Sequence, residues 1–148
     1  MQHLAFIMDG NRRWAKKQGF KLLSRGHVEG VKSVEAATDF CLKHEISYIS
    51  FYAFSIENFK RSEQEKEFLF GLVVERFSQD KIREAQEKGV RIRFVGDRSR
   101  FPKSVIEIIE EAERATSEQS KLTTCFLFCY GGQQEIISAA QDLASRVS

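Results

Sequence analysis

Residues 3–14 of this chain read H-L-A-F-I-M-D-G-N-R-R-W, an apolar run that passes directly into an acid, a glycine and two arginines. The apolar run 4–8 predicts a strand covered on both faces, and the turn-forming residues Asp9, Gly10 and Asn11 end it. Backbone N–H groups at a strand-to-helix junction point outward with the positive end of the helix dipole, so this turn suits an anion. Asp9 is then placed to hold a hard cation such as Mg²⁺ against that anion.

The rest of the chain alternates strands with helices. Strands are predicted at 4–8, 46–54, 90–96 and 123–130, and helices at 12–18, 28–44, 63–88, 103–117 and 133–147. Strands separated by helices cross over right-handed into a parallel sheet, so the predicted fold class is α/β, with a parallel central sheet of at least four strands flanked by helices. The length of 148 residues predicts a single domain over 1–148.

The turns that follow the predicted strands are polar or glycine-rich. They are residues 9–13, 55–58, 96–100 and 130–133. All strands of a parallel sheet end at the same edge, where open α/β sheets bind their ligands. The sequence therefore predicts that these four turns converge on one site.

Composition and charge exclude several classes of protein. A formal charge of +2 is too small to argue for a nucleic-acid partner, and the basic clusters lack interleaved aromatic residues. No apolar stretch approaches the roughly 18 residues of a membrane span, and no signal-peptide layout is present, so we expect a cytoplasmic protein. A peripheral contact with the inner face of the membrane stays open. Cys41, Cys125 and Cys129 are expected to be reduced, mostly buried thiols without a zinc or disulfide role.

Four short motifs are spread along the chain. They are M-D-G-N-x-R-W at 8–14, G-H at 26–27, Y-A-F-S-x-E-N-(aromatic)-x-R at 52–61, and G-D at 96–97 with Y-G-G at 130–132. In this order and spacing the chain resembles the cis-prenyltransferases, and most of all the bacterial undecaprenyl diphosphate synthases. The resemblance covers essentially the whole chain.

This resemblance implies a Mg²⁺-dependent transferase that works as a homodimer. Such an enzyme adds isopentenyl diphosphate units in cis to an allylic diphosphate, usually farnesyl diphosphate. Its product is a long polyprenyl diphosphate such as undecaprenyl diphosphate, the precursor of the lipid carrier for cell-wall sugars. We therefore expect the product to be delivered to the membrane.

The first motif carries the residues expected at the reacting diphosphate. Asp9 takes the family's catalytic position and is the expected Mg²⁺ ligand, since a departing diphosphate needs electrostatic stabilisation. Gly10 lets the backbone approach phosphate, and Asn11 lines the pocket. Arg13 matches an arginine that can clamp diphosphate in a bidentate fork.

Three further positions near this motif have two interpretations each. Arg12 stands where the family usually has glycine, and it either contacts phosphate or points to solvent. Trp14 is expected beside the first isoprene unit of the starter, with core packing as the alternative. His27 is expected to open the second helix and to bond a diphosphate oxygen, with helix capping as the alternative.

The second turn is expected to complete the mouth of the site. Asn58 occupies the position that in the family helps to remove the proton after condensation. Because a carboxamide is a very poor base at neutral pH, we expect Asn58 to orient a water or the substrate diphosphate, which accepts the proton itself. Phe59 replaces the commoner tryptophan. The other residues of this turn expected to bind substrate are Ser55, Ile56, Glu57 and Arg61.

The hydrocarbon tail requires an apolar channel, expected between the sheet and the two helices that follow the first two turns. Its candidate lining residues are Val28, Val31, Phe51, Ala53, Phe68, Leu72, Phe126 and Phe128.

Some positions depart from the family pattern. The arginine that usually precedes Gly-His is replaced by Lys21 or Arg25, and Cys129 and Gln133 flank Tyr-Gly-Gly in place of asparagine and arginine. The family also continues past Ser148 into a segment that holds isopentenyl diphosphate and completes the metal site. We therefore expect a chain truncated at its C-terminal end. A complete chain of this length is expected to bind the starter without efficient condensation.

Two other functions stay open at this point. One is a non-catalytic prenyl-diphosphate-binding subunit or an inactive fragment of such an enzyme, although Asp9 and Asn58 argue against it. The other is a generic phosphate- or nucleotide-binding α/β domain, which lacks the spacing of a Gly-x-Gly-x-x-Gly or Walker loop.

Overall fold

The computed structural model describes residues 2–22 and 24–147, which form four strands joined by helices. The strands make one sheet in the order β1-β2-β4-β3, and every neighbouring pair is parallel. The predicted α/β class with a parallel sheet is therefore confirmed. The elements are β1 (His3–Ile7), α1 (Asn11–Lys17), α2 (Arg25–Lys43), β2 (Tyr48–Ser55), a 3₁₀ helix (Ile56–Lys60), α3 (Glu63–Arg76), α4 (Gln79–Lys88), β3 (Val90–Val95), a 3₁₀ helix (Arg98–Arg100), α5 (Lys103–Ala115), β4 (Leu122–Tyr130) and α6 (Gly132–Val147).

The predicted single helix over 63–88 is wrong, because it is two helices, α3 and α4. Helix α3 ends at its C-cap, Phe77, whose backbone N–H donates to the Val73 carbonyl oxygen. The next residue, Ser78, has an extended backbone, with ψ 161°. The ring of Phe77 packs edge-on against Phe94 and Phe126, with centroids 4.9 and 5.2 Å apart. The break thus packs a partly buried Phe77 against the sheet. No glycine or proline marks it, so the sequence pattern did not reveal it.

The other predicted bounds are displaced by up to three residues. The helix predicted at 28–44 begins at Arg25, so His27 lies inside its first turn and does not open it. The strand predicted at 46–54 spans Tyr48–Ser55, and that predicted at 4–8 ends at Ile7.

A row of phenylalanines crosses the sheet and contributes Phe51 and Phe94 to the core. Phe6, Phe51, Phe126 and Phe94 are in register on the four strands, and their neighbouring rings stack at centroid distances of 5.7, 5.6 and 5.4 Å. Offset stacking at these distances adds to the stabilisation from burial. Helices α2, α3 and α4 lie over this face of the sheet.

Helix α5 protects the edge strand β3. The Ile92 N–H donates at 3.0 Å to the hydroxyl oxygen of Thr116, the residue that directly follows α5. The Phe94 N–H donates at 2.8 Å to the carboxylate of Glu113, which lies within α5. These bonds satisfy backbone donors that an edge strand otherwise leaves unpaired.

The other face of the sheet and helix α6 are open to solvent. Exposed apolar residues include Val95 on the sheet and Ile136, Ile137 and Leu143 on α6. Within residues 2–22 and 24–147, no helix has the combined length and apolarity that crossing a bilayer requires.

Candidate functional site

A cavity of about 390 Å³ lies between the sheet and helices α2, α3 and α4. This volume is within the range of small-molecule sites. Polar residues line its mouth at the C-terminal ends of β1 and β2, namely Asp9, Asn11, His27, Ser55, Asn58 and Arg61. Its interior is apolar and includes Met8, Val31, Val34, Leu69, Leu72, Val73, Phe77, Ile92, Phe94, Phe126 and Phe128. The cavity therefore joins a polar mouth to an apolar interior.

Two of the four predicted turns line this cavity, and the third and fourth lie beside the second at the same edge of the sheet: the Arg100 guanidinium lies 5.5 Å from the Phe59 ring centroid, and the Asp97 N–H donates to the Cys129 carbonyl oxygen. Within the third turn, the Asp97 carboxylate accepts bonds from the Ser99 hydroxyl at 2.6 Å and from Arg100 Nε at 2.9 Å. The fourth turn is held at Tyr130, whose carbonyl oxygen accepts a bond from the Tyr52 hydroxyl at 3.2 Å. The strand order places the third turn, which follows β3, furthest from the first turn, which follows β1.

The first turn presents Asp9 at the mouth as an exposed carboxylate. Gly10 adopts a left-handed conformation, φ 92°, and its N–H donates to Asp9 Oδ1 at 2.5 Å. Arg13 Nη2 donates to Asp9 Oδ2 at 2.8 Å, and the side chains of Arg13 and Asp9 are 79% and 76% exposed. Arg13 thus contacts Asp9 and does not line the cavity. Such an exposed pair contributes little to stability and is easily separated.

Asp9 fits one part of a magnesium site. Across the described part of the chain, no three or more His, Cys, Asp or Glu side chains are grouped to hold a metal ion. Mg²⁺ is usually bound by one or two carboxylates together with substrate phosphates and waters, and not by a cage of protein groups. A single exposed carboxylate at a cavity mouth meets that requirement once Arg13 leaves Oδ2. The remaining ligands would come from the bound molecule and water.

Glu65, which the sequence analysis missed, gathers three basic side chains at the mouth. Its Oε1 lies 2.9 Å from Arg61 Nη1 and 4.0 Å from His27 Nε2, and its Oε2 lies 3.4 Å from Arg12 Nη1. Ser62 caps α3 by accepting the Glu65 N–H at 3.3 Å, which fixes the position of this acid.

Two guanidinium groups around one carboxylate leave net positive charge, which favours an anion. The i,i+4 spacing of Arg61 and Glu65, with Ser62 three residues before Glu65 in capping-box spacing, is the sequence signal that could have identified Glu65. Arg12 is half exposed and paired with this acid, and its contact with phosphate stays a prediction.

His27 is held uncharged at the mouth. Its side chain is 13% exposed, and its buried Nε2 has no hydrogen-bond partner in residues 2–22 and 24–147. Burial lowers the pKa of His27 below 6.5, and the charges of Arg61 and Arg12 lower it further, while Glu65 opposes them. The helix-capping alternative is not supported, because Ser24 holds the N-cap position. A neutral imidazole with an unpaired nitrogen is suited to one hydrogen bond with a bound oxygen.

Asn58 and Ser55 form a reciprocal capping box at the second turn. Asn58 Oδ1 accepts the Ser55 N–H at 3.0 Å, and the Ser55 side chain accepts the Asn58 N–H. With Oδ1 engaged in this way, Asn58 offers its amide N–H groups to the cavity. The side chain can therefore donate to a ligand oxygen, in keeping with our expectation that it does not act as a base.

Asn11 is positioned by two glycines that lie one turn apart on α2. A Cβ atom at Gly26 would lie 2.1 Å from the Asn11 carbonyl oxygen, so only glycine lets α1 pack this closely on α2. A Cβ atom at Gly30 would lie 2.9 Å from Asn11 Oδ1. The glycine of the Gly-His motif thus has a packing role.

Several residues predicted at the site lie away from the cavity. Trp14 is exposed and packs against Phe20 at 5.7 Å, so its core-packing alternative is wrong, while its contact with the starter stays a prediction. Phe59 packs edge-on against Phe54 at 5.2 Å. Glu57 is exposed, and bonds from its own backbone N–H and the Ser55 hydroxyl lower its pKa. Gly10, Lys21 and Ile56 also lie outside the lining, while the Arg25 guanidinium lies 4.7 Å from the Phe20 ring centroid.

The predicted apolar channel is partly confirmed. Val31, Ala53, Leu72, Phe126 and Phe128 line the cavity. Val28, Phe51 and Phe68 do not line it. Phe51 is buried between Phe6 and Phe126, and Phe68 lines a smaller hollow beside Arg12.

Comparisons with known proteins agree with this architecture. Residues 7–148 match the family model described as "Putative undecaprenyl diphosphate synthase". The chain is 42% identical over 149 residues to the tritrans,polycis-undecaprenyl-diphosphate synthase (geranylgeranyl-diphosphate specific) of Pyrococcus horikoshii, covering 99% of this chain and 55% of that protein. It is 39% identical over 147 residues to the ditrans,polycis-undecaprenyl-diphosphate synthase ((2E,6E)-farnesyl-diphosphate specific) of Xanthomonas axonopodis pv. citri, covering 99% of this chain and 57% of that protein.

A solved structure is also similar over nearly the whole chain. The crystal structure of lavandulyl diphosphate synthase from Lavandula x intermedia, in complex with dimethylallyl diphosphate, superposes with a TM-score of 0.93 at 28% identity. The superposition covers 99% of this chain and 62% of the other. The chain thus spans less than two thirds of the length of these proteins.

Proposed function

This chain belongs to the undecaprenyl diphosphate synthase family of cis-prenyltransferases, and from that premise we propose that it condenses isopentenyl diphosphate in cis onto an allylic diphosphate. The proposed product is a long-chain polyprenyl diphosphate such as undecaprenyl diphosphate, for the lipid carrier of cell-wall sugars. The proposed starter is farnesyl diphosphate. Geranylgeranyl diphosphate, named for the Pyrococcus relative, is the competing starter.

One observation supports this proposal above all others. The cavity combines a mouth carrying Arg61 and His27 with an interior lined by Leu69, Leu72 and Phe126. A diphosphate suits the mouth, since two guanidinium groups surround one carboxylate there, and a hydrocarbon suits the interior. An allylic diphosphate carries both parts in one molecule.

The mouth residues have two proposed roles, donating hydrogen bonds to the diphosphate and holding the metal ion. Asn11, His27, Asn58 and Arg61 hold the diphosphate by donating hydrogen bonds to its oxygens, and Arg13 joins them after it separates from Asp9. Their donors stabilise the negative charge that develops as the allylic carbon–oxygen bond breaks. Asp9 would hold Mg²⁺, which when bound supplies further neutralisation of the leaving diphosphate.

The last step is the loss of a proton after the new carbon–carbon bond has formed. Asn58 cannot accept that proton, because an amide is a very poor base and its Oδ1 already accepts the Ser55 N–H. A diphosphate oxygen of the substrate, or an ordered water, is the proposed acceptor. Asn58 orients it.

The experiment is Asp9→Ala, assayed with farnesyl and isopentenyl diphosphates in the presence of Mg²⁺. We expect incorporation to fall by about 10²–10³-fold, the usual effect of removing one electrostatic stabiliser, while starter binding is retained. Asp142→Ala, on exposed helix α6, is the matched control. Unchanged turnover in Asp9→Ala rejects the role of Asp9, and a wild-type chain that binds no allylic diphosphate rejects the proposal. The homodimer and delivery of product to the membrane are part of the same proposal.

A further inference from the structure

The G-D motif at 96–97 lies outside the cavity lining, but its acid organises the third turn. The Asp97 carboxylate accepts the Ser99 N–H at 3.1 Å, the Ser99 hydroxyl at 2.6 Å and Arg100 Nε at 2.9 Å. These bonds from Ser99 and Arg100 hold the pKa of Asp97 below its ordinary value, so the carboxylate is charged at neutral pH. Asp97 therefore orients the Arg100 guanidinium.

The backbone of the third turn is anchored to strand β4. The Asp97 N–H donates to the Cys129 carbonyl oxygen at 3.1 Å. Gly96 adopts φ 148°, and a Cβ atom at this position would clash with the Phe128 carbonyl oxygen, so only glycine permits the close approach. Strand β4 is paired in turn with β2, the strand that leads into the second turn. The sheet thus fixes the third turn relative to the second.

The oriented guanidinium of Arg100 meets the second turn at Phe59. Its Cζ atom lies 5.5 Å from the Phe59 ring centroid, within the range of a cation–π contact. Lys66 Nζ lies 5.9 Å from the same centroid, and the Phe54 ring packs edge-on against Phe59 at 5.2 Å. Side chains from β2, α3 and the third turn therefore hold this ring.

Phe59 directly follows Asn58 in a 3₁₀ helix of five residues. Hydrogen-bond geometry is poorer in a 3₁₀ helix than in an α-helix, so this short helix depends on the contacts of its side chains. At its start, the Ser55 N–H donates to Asn58 Oδ1 at 3.0 Å. Towards its end, the contacts of the Phe59 ring hold the helix against its neighbours.

We propose that Asp97 and Arg100 are positioning residues, which hold Phe59 in place and thereby keep the Asn58 amide turned toward the cavity mouth. We call Asp97, Arg100 and Phe59 the third-turn brace. None of the three lines the cavity, so the brace acts on a bound molecule through Asn58. The identity of that molecule as an allylic diphosphate rests on the proposed function. The brace does not.

The test removes the cation from the ring. Arg100→Gln leaves a polar side chain without charge. Arg98→Gln is the matched control, because Arg98 lies in the same 3₁₀ helix with a similar exposed fraction, 41% against 46%, and contacts Glu113 instead of Phe59. Arg100→Lys keeps a cation that can reach the ring. Thermal unfolding checks that each variant is folded.

The first measurement needs no ligand. Amide hydrogen exchange of residues 55–61 reports how firmly the second turn is held. In Arg100→Gln we expect this exchange to be about 2- to 30-fold faster, the factor that the loss of one cation–π contact implies. Asp97→Ala should act in the same direction, whereas Arg98→Gln should leave the exchange unchanged and Arg100→Lys should restore most of it. Exchange at the wild-type rate in either Arg100→Gln or Asp97→Ala overturns the brace.

The second measurement is the affinity for farnesyl diphosphate, determined by calorimetry. Arg100→Gln should raise the Kd by about 2- to 30-fold in the wild-type background. The same change should have no further effect in Asn58→Ala, because the brace acts through Asn58. A general loosening of the structure would weaken binding in both backgrounds.

The two measurements separate the brace from the proposed function. An equal loss of affinity in both backgrounds, or wild-type affinity in Arg100→Gln despite faster exchange, overturns the positioning role. If the exchange changes as expected while the wild-type protein binds neither farnesyl nor geranylgeranyl diphosphate, the brace stands and the proposed function fails.

Discussion

Replacing Gly30 with alanine should stabilise the protein and weaken its ligand site at the same time. Gly30 lies in the interior of α2, where glycine costs about 0.5–1 kcal/mol relative to alanine. The new Cβ atom would lie 2.9 Å from Asn11 Oδ1 and 3.2 Å from its Nδ2. These atoms are the end of a side chain, so the amide can rotate away without a backbone movement. The free energy of unfolding should therefore rise by about 0.5–1 kcal/mol.

The binding of farnesyl diphosphate should change in the opposite direction. Asn11 lines the cavity mouth in the wild-type protein, and the added methyl group displaces its amide. A hydrogen bond to a charged oxygen is worth about 1.5–3 kcal/mol. Its loss corresponds to a Kd about 10- to 150-fold higher.

Urea unfolding and isothermal titration calorimetry measure the two effects separately. Gly71→Ala is the matched control, because Gly71 lies within α3 and a Cβ atom there would have no neighbour within 4 Å. It should give a similar stabilisation with unchanged affinity. Wild-type affinity in Gly30→Ala, with the stability gained, would refute the argument that Asn11 holds the diphosphate.

Two further predictions concern the same helix. Gly26→Ala should lower the free energy of unfolding by about 1–3 kcal/mol, because its Cβ atom would lie 2.1 Å from the Asn11 carbonyl oxygen and the backbone must move; a urea midpoint equal to that of the wild type would contradict this packing. His27→Gln should weaken the pH dependence of the free energy of unfolding. Burial holds the pKa of His27 below 6.5 in the folded state, so the unfolded chain binds the proton more readily. The wild-type protein should therefore lose stability as the pH drops below 6.5. Urea midpoints between about pH 7.5 and pH 5 measure this, and equal slopes in both proteins would count against it.

Much of the fold could be predicted because its signals are local. The apolar run before Asp9, the alternation of strands with helices and the crossover rule together predict a parallel α/β sheet, which the structure confirms. The same local patterns predicted the strand ends at which Asp9, Ser55 and Asn58 line one mouth. The break at Phe77 and Ser78 was not predictable in this way, since it depends on Phe77 packing against two strands distant in sequence.

By itself, then, the sequence determined the kinds of elements, their order and the first two turns of the candidate site, since hydrophobic periodicity and turn residues act over a few neighbouring positions. Only the tertiary structure decided that β4 lies between β2 and β3, which places residues 96–100 furthest from the first turn. It also decided that Glu65 gathers Arg12, His27 and Arg61, and that α4 meets α2 through Lys81 and Lys88. These contacts join residues far apart in the chain, and their geometry follows from how whole elements pack.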